Sequence, residues 1–333
     1  MNIFKETPKT KKGKIILISS ISVSALLVGG CAGYLLGHFL KTPNQDFSGI
    51  DSNSLYDSDN ANLVERFDES LKNNEDIQST YRLDQIANYA IEKFRASTHS
   101  VAYGYGKGNA AVNLDILNCV IRDEDKYMEE SISKSVAGSI LDIVVAQRDY
   151  QSGPSDDDSV LSYLGKIPSK IEEPDWSNPT TKDYTVSSYR STFGKNVDYP
   201  VVYLLSSKTV LTDKNNTVGT ADNPNSYITE TESGYKLYMN LDPIKSVVNY
   251  YKRMINLSGS NVNSFFYVHL TFNLDKNYQL ISSFSEEKYS ASMSNIPSTV
   301  VGTMETYFFK DTTSYSIPDI STNIAYPNKG ELN

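Results

Sequence analysis

Residues Ile15 to Leu40 form an unbroken apolar run of 26 residues with no Asp, Glu, Lys or Arg. No other segment limits what the chain can become as strongly. A helix of that length reaches about 39 Å, against about 30 Å for the hydrocarbon core of a bilayer. In hydrocarbon every backbone polar group must be paired within the segment, so the expectation is a single transmembrane helix. Lys5, Lys9, Lys11, Lys12 and Lys14 precede the run against one Glu6, and Asp46, Asp51, Asp57 and Asp59 follow it. Positive charge stays on the cytoplasmic side. Residues 1–14 are therefore expected as a cytoplasmic basic tail, and the C-terminal part as an extracellular domain held at the cell membrane by residues 15–40.

The run supports two readings. One is an uncut single-pass anchor. The other is a secretory signal with an apolar region from Ile15 to Leu27, followed by Val28-Gly29-Gly30-Cys31. Those four residues resemble the lipobox of bacterial lipoproteins, and the resemblance implies lipidation at Cys31. Ala32 to Leu40 stays apolar where a mature lipoprotein turns polar, which favours the uncut anchor. Ala25, Gly29, Gly33 and Gly37 recur every four residues and place small side chains on one helix face. Such a face lets two helices approach closely and is a candidate dimer contact.

The chain carries −9 overall, so residues 42–333 carry −14 once the basic tail and Lys41 are set aside. An exterior of that sign excludes nucleic acid as a partner. Cys31 lies in the apolar run, leaving Cys119 alone outside, so the ectodomain has no intrachain disulfide. That usage suits a bacterial envelope protein better than a disulfide-rich secreted one. Cys119 sits in the apolar stretch Leu114 to Ile121 and reads as a small buried hydrophobe.

Residues 41–59 are polar and acidic and read as a tether. Residues 60–320 read as the folded domain and residues 321–333 as a tail. Asn60 is the expected cap of a helix bearing Leu63, Phe67 and Leu71. Thr80 or Ser79 is the expected cap of a stronger helix, whose Leu83, Ile86, Ala87, Ala90, Ile91 and Phe94 form one apolar stripe. The period then changes to two. Strands are expected around 101–105, 112–120, 126–133 and 139–150, with a turn at Gly106-Lys107-Gly108-Asn109. Residues 152–158 and 172–182 read as loops, the second holding Trp176. A short helix at 185–193 ends at Gly194. Strands are expected at 201–205 and 208–212, then a loop at 213–226. Asp242-Pro243 opens a helix, and strands follow at 265–274, 278–290 and 298–309, the first two joined by Asp275-Lys276-Asn277.

Helix then three strands thus occurs twice, which suggests two similar halves at about 80–200 and 200–310. The expected fold class is α+β: a large, curved, half-barrel-like antiparallel sheet with helices packed on one face. In this element order residues 80–310 resemble LolA- and LppX-type bacterial envelope lipoproteins. The resemblance implies an unclosed β-barrel whose concave side is plugged by helices.

No catalytic pattern accompanies this layout. His99 and His269 lack neighbours at metal-ligand spacing. The glycines at 104–108 lie between strands and open no phosphate-binding helix. Glu286 and Glu287 are adjacent in a strand and point to opposite faces, so they cannot act as a carboxylate pair. No enzyme activity, metal or cofactor is expected. Two functions remain: a membrane-anchored module holding an apolar or lipid ligand in the curved sheet, or a non-enzymatic structural or interaction protein that contacts another envelope protein. The tyrosines, among them Tyr103, Tyr203, Tyr250 and Tyr289, are candidates to line a cavity.

Overall fold

The computed structural model describes residues 45–332, apart from residues 48, 110–112, 138–140, 168–169, 218, 222, 259–260, 294–295 and 311–315. The apolar run at 15–40 lies outside the described residues, and with it Cys31 and the face formed by Ala25, Gly29, Gly33 and Gly37. Among the described residues no helix is long and apolar enough to cross a membrane.

Eleven strands make one antiparallel sheet. They are β1 (His99–Asn109), β2 (Asn113–Asp123), β3 (Lys126–Ala137), β4 (Leu141–Gln151), β5 (Ser159–Lys166), β6 (Asp175–Thr185), β7 (Tyr227–Thr231), β8 (Gly234–Leu241), β9 (Asn261–Asp275), β10 (Leu280–Met293) and β11 (Ile296–Lys310). The order is β6-β5-β4-β3-β2-β1-β11-β10-β9-β8-β7. Two meanders therefore meet where β1 pairs with β11, and β6 and β7 stand at the two edges. Helices α1 (Leu63–Lys72), α2 (Leu83–Ala96), α3 (Val186–Phe193) and α4 (Val248–Ser258) complete an α+β fold that is mostly strand.

The apolar stripe on α2 explains the larger core. Ile86, Ala87, Ala90, Ile91 and Phe94 are buried with Leu237, Met239 and Leu241 of β8 and Val268, Leu270 and Phe272 of β9. Side chains alternate along a strand, so the same face of β1, β2 and β11 carries Ala102, Val120 and Phe308, also in this core. The opposite face buries Val101, Tyr103, Cys119, Ile121 and Met128 under the C-terminal segment, through Ile317, Ile324 and Tyr326.

Several boundaries differ from expectation. The glycines at 106 and 108 lie within β1 and do not form a turn, because each occupies a position whose neighbours lean over it. Val201 to Leu205 and Lys208 to Thr212 are coil, with a single bridge from Val210 to Leu241. These apolar runs fill the core as buried loop, which strand propensity alone does not distinguish. Residues 175–182, within the expected loop at 172–182, belong to β6. An edge strand exposed along most of its length reads as polar, and its Pro179 sits in an irregularity of the β5 pairing. β5, β7 and β8 stand where no strand is expected from the sequence. Asn62, not Asn60, precedes α1, and Ser79 and Thr80 belong to their own helical turn capped by Asp76. Asp242 does accept from the backbone N–H of Ile244 and Lys245, but α4 begins only at Val248. Residues 45–60 do not hang free: Phe47 and Leu55 are buried against the domain. Helix α3 and its left-handed Gly194 stand where expected.

Candidate functional site

On the helix-facing side, the central strands carry very small residues. β1 presents Ala102, Gly104, Gly106 and Gly108; β10 presents Ser283 and Ser285; β3 presents Ser131 and Ser133. A Cβ added at Gly106 would meet Ile116 and Met304 at 3.0 Å each, so those two side chains lie over the glycine track. Accessibility along this strip is uneven. Ala102, Val120 and Phe308 at one end are buried, whereas Leu114, Ile116, Gly302 and Met304 towards the other are partly exposed. Apolar side chains left partly open on the inner side of a covered sheet are what a ligand site presents.

At this floor lies Glu287, fully within the protein. Its carboxylate accepts from the hydroxyls of Tyr203 and Tyr250, both at 2.9 Å. Burial pushes Glu287 up to about 7, although the two hydroxyls oppose the shift. Tyr203 and Tyr250 meet edge to face at 5.6 Å, and Tyr250 and Tyr289 both pack on Phe265. The aromatic wall foreseen for Tyr203, Tyr250 and Tyr289 is thus assembled around one carboxyl group.

A second polar cluster occupies the same face under α3 and α4. Glu129 of β3 pairs with Lys195 at 3.0 Å and Arg253 at 2.8 Å. Burial pushes Glu129 up, but the two cations hold it below its ordinary value. Burial lowers Lys195 despite Glu129 beside it. Arg253 also donates to Ser131 at 2.8 Å. Asp149, raised by burial, accepts from Tyr189 at 2.8 Å and from Gln147 at 2.9 Å. Glu129 Oε2 finds no hydrogen-bond partner. Because Glu129, Lys195 and Arg253 are all buried, the cluster ties α3, α4 and their connection to the sheet.

The next residue along each strand points the other way. Arg148 and Glu130 form a buried pair on the opposite face, with Arg148 Nε 2.9 Å from Glu130 Oε2. The guanidinium stacks on Trp176 at 4.6 Å and donates to the carbonyls of Asp319, Ile320 and Thr322. Tyr326 donates to Glu130 at 3.0 Å, and Tyr150 to the Pro318 carbonyl at 2.9 Å. The expected tail is therefore a strap bound across the sheet.

Sequence reasoning placed Glu286 and Glu287 on opposite faces, and so they are: Glu286 accepts from Tyr267 on the outer side. It missed Glu129-Glu130 and Arg148-Asp149. The available signal was a charged doublet within each expected strand, which turns one member to each side of the sheet. Among the described residues no group of His, Cys, Asp and Glu could hold a metal. His269 lies on the outer side, stacked on Tyr267, with Nε2 2.8 Å from Asn223 Oδ1. Cys119 is buried, which raises its thiol well above the ordinary value. An open groove of about 1330 Å³ is lined by Tyr56, Asp68, Arg95, Arg190 and Tyr199 and reaches Lys195. Its charges are of both signs.

No family model and no curated protein matches the chain. Among solved structures, a DUF1329 family protein from Desulfovibrio piger is similar over 70% of this chain and 93% of its own. The identity is 12% and the TM-score 0.23. A likeness of that size carries no argument about function. The resemblance to LolA- and LppX-type lipoproteins therefore remains an expectation of the sequence.

Proposed function

We propose that this chain is a membrane-anchored extracytoplasmic binding module that holds an apolar or lipid ligand on the helix-facing side of its sheet. The observation that carries the reading is the partly open strip at Leu114, Ile116, Gly302 and Met304 over a glycine floor. The contacts of α4 support a trough there. This helix of 11 residues touches β9 and β4 at once, with five strands between them. On a flat sheet those strands would be about 29 Å apart, whereas the helix is about 16 Å long. The sheet then bends around α4 as a half-barrel, and the small residues of β10, β11, β1 and β3 leave room beneath it. The apolar run at 15–40, uncut, supplies the anchor.

Filling the strip tests this reading. Ile116→Trp places a large side chain on a partly open position, so the fold tolerates it. In the full-length protein, binding of a long-chain fluorescent fatty acid is expected to weaken about tenfold or more, with the melting temperature little changed. Equal binding by the variant and the parent would defeat the proposal.

A second reading has its own observation. The outer side of the β7–β10 half leaves Tyr227, Phe266, Ile281 and Phe284 exposed. That patch fits a non-enzymatic interaction protein of the envelope. In that case Phe284→Ser would abolish partner capture and Ile116→Trp would change nothing.

A further inference from the structure

Glu287 is a buried carboxylate without a counter-charge. It is 7% exposed. Burial is the largest influence on its titration, and the only groups that oppose burial are the uncharged hydroxyls of Tyr203 and Tyr250. Among the described residues, the other buried carboxylates have cations. Glu130 has Arg148, Glu129 has Lys195 and Arg253, Asp84 has Arg82, and Asp198 has Arg95. Asp149, raised by burial, also feels the charge of Arg253. A charge taken out of water persists only where it is paired, so the ionised form of Glu287 lacks what every neighbouring site provides.

The carboxyl group borders the open strip. Along one row of the sheet Glu287 lies opposite Gly302, Gly302 opposite Gly108, and Gly108 opposite Leu114. Two successive positions therefore carry no side chain, and Glu287 and Leu114 bound a bare floor three strand spacings wide, about 14 Å. A Cβ placed on Gly302 would lie 3.5 Å from Glu287 Cγ and 3.6 Å from its Oε1. Gly302 and Leu114 are both partly exposed. Among the described residues Oε1 accepts one hydrogen bond, from Tyr250, and a carboxylate oxygen can take a second. Aromatic rings complete the surroundings: Tyr203, Tyr250, Phe265 and Tyr289 follow one another at 5.6, 6.0 and 5.4 Å. A carboxylate set among such rings suits an ammonium group, which pairs with the charge and is also attracted by ring faces.

We propose that the ligand supplies the missing charge: an amphiphile whose ammonium head sits over Gly302 against Glu287, with its tail over Gly108 towards Leu114 and Ile116. The proposal rests on the reading of the strip as an apolar ligand site and names the class of ligand. An ammonium N–H donating to the free position on Oε1 makes a charge-assisted hydrogen bond, about twice as strong as a neutral one. A hydroxyl head makes only a weaker bond there, and a carboxylate head sets like charge beside Glu287. The −14 carried by residues 42–333 favours a cation at longer range as well.

Three fluorescent probes with the same long alkyl chain and an ammonium, hydroxyl or carboxylate head test this. Each is titrated into the full-length protein in nanodiscs at about pH 8, where an alkylamine is still charged, and partitioning into empty nanodiscs is subtracted. The ammonium probe is expected to bind about tenfold tighter than the hydroxyl probe, and the carboxylate probe weakest of the three. Glu287→Gln removes the charge at nearly the same shape and is expected to bring the ammonium probe down to the hydroxyl probe. Equal affinity of the parent for all three heads, or an ammonium preference that survives in Glu287→Gln, overturns the proposal and leaves the apolar site standing. Saturable binding of none of the three overturns the apolar site itself, and the proposal with it.

Discussion

Arg148→Ala is expected to destabilise the protein by about 3–5 kcal/mol, because it strands Glu130 as an unpaired charge in the interior. Both side chains are completely buried, so the stranded carboxylate has no access to bulk solvent. Burial already holds Glu130 above its ordinary value with the arginine in place. The same substitution removes the donor to the carbonyls of Asp319, Ile320 and Thr322, so the strap loses its central fastening. Urea unfolding reads the stability, and limited proteolysis within residues 316–332 reads the strap. Trp176 is the only tryptophan in the chain and lies against the guanidinium, so its emission reports the site directly. The double variant Glu130→Leu with Arg148→Met separates the two effects. Replacing a whole buried pair by apolar groups is often close to neutral, so stability should largely return while the strap stays cleavable. If Arg148→Ala lost less than about 1 kcal/mol, the pair would be no more than an exposed ion pair in strength, and the fastening role would fail.

How much of this arrangement could be read from residues alone depends on where each strand buries its faces. Strands at β1 to β4 and β9 to β11 were all expected, but β1 runs on to Asn109 through the glycines read as a turn, and β9 begins at Asn261, four residues before its expected start. β6 shows no apolar alternation, since Asp175 to Thr185 is an edge strand exposed at most positions. β7 and β8 had a usable turn, Glu232-Ser233-Gly234. A Cβ at Gly234 would fall 2.1 Å from the Leu274 carbonyl oxygen, so only glycine fits there. The run at 201–212 misled in the opposite direction. Val201, Tyr203, Leu204, Leu205 and Val210 are buried, but as a loop whose backbone bonds go to Ser246, Asn240 and within itself.

The candidate site was legible only in part, for a related reason. A strand glycine reads as a turn when nothing marks which face it occupies, and the floor at Gly104, Gly106 and Gly108 is defined by neighbours from β2 and β11. Glu287 could be assigned to a face from its position beside Glu286. Its two tyrosine partners come from residues 84 and 37 positions away, which no local pattern encodes. Lys195 and Arg253 reach Glu129 from the end of α3 and from α4, again without a local signature.

Glu287→Gln is expected to change how stability depends on pH. In the folded protein the carboxyl stands at about 7, against an ordinary value of 4.5. The raised value means that the native state holds this proton more tightly than the unfolded chain does. Its contribution is therefore fully present below the unfolded value and is lost as pH rises through about 7. A shift of this size corresponds to about 3 kcal/mol. Glutamine stays neutral throughout, so stability of the parent relative to Glu287→Gln should fall by about 3 kcal/mol between pH 4 and pH 8. The parent is then the less stable protein at pH 8, where an ionised carboxylate sits among Tyr203, Tyr250 and Tyr289. Chemical denaturation of both proteins at several pH values measures the difference. A constant difference would mean that the group titrates as if in water, which would remove it from among Tyr203, Tyr250 and Tyr289. A sloping difference would mark Glu287 as protonated below about pH 7, and there able to donate as well as accept on the helix-facing side of the sheet.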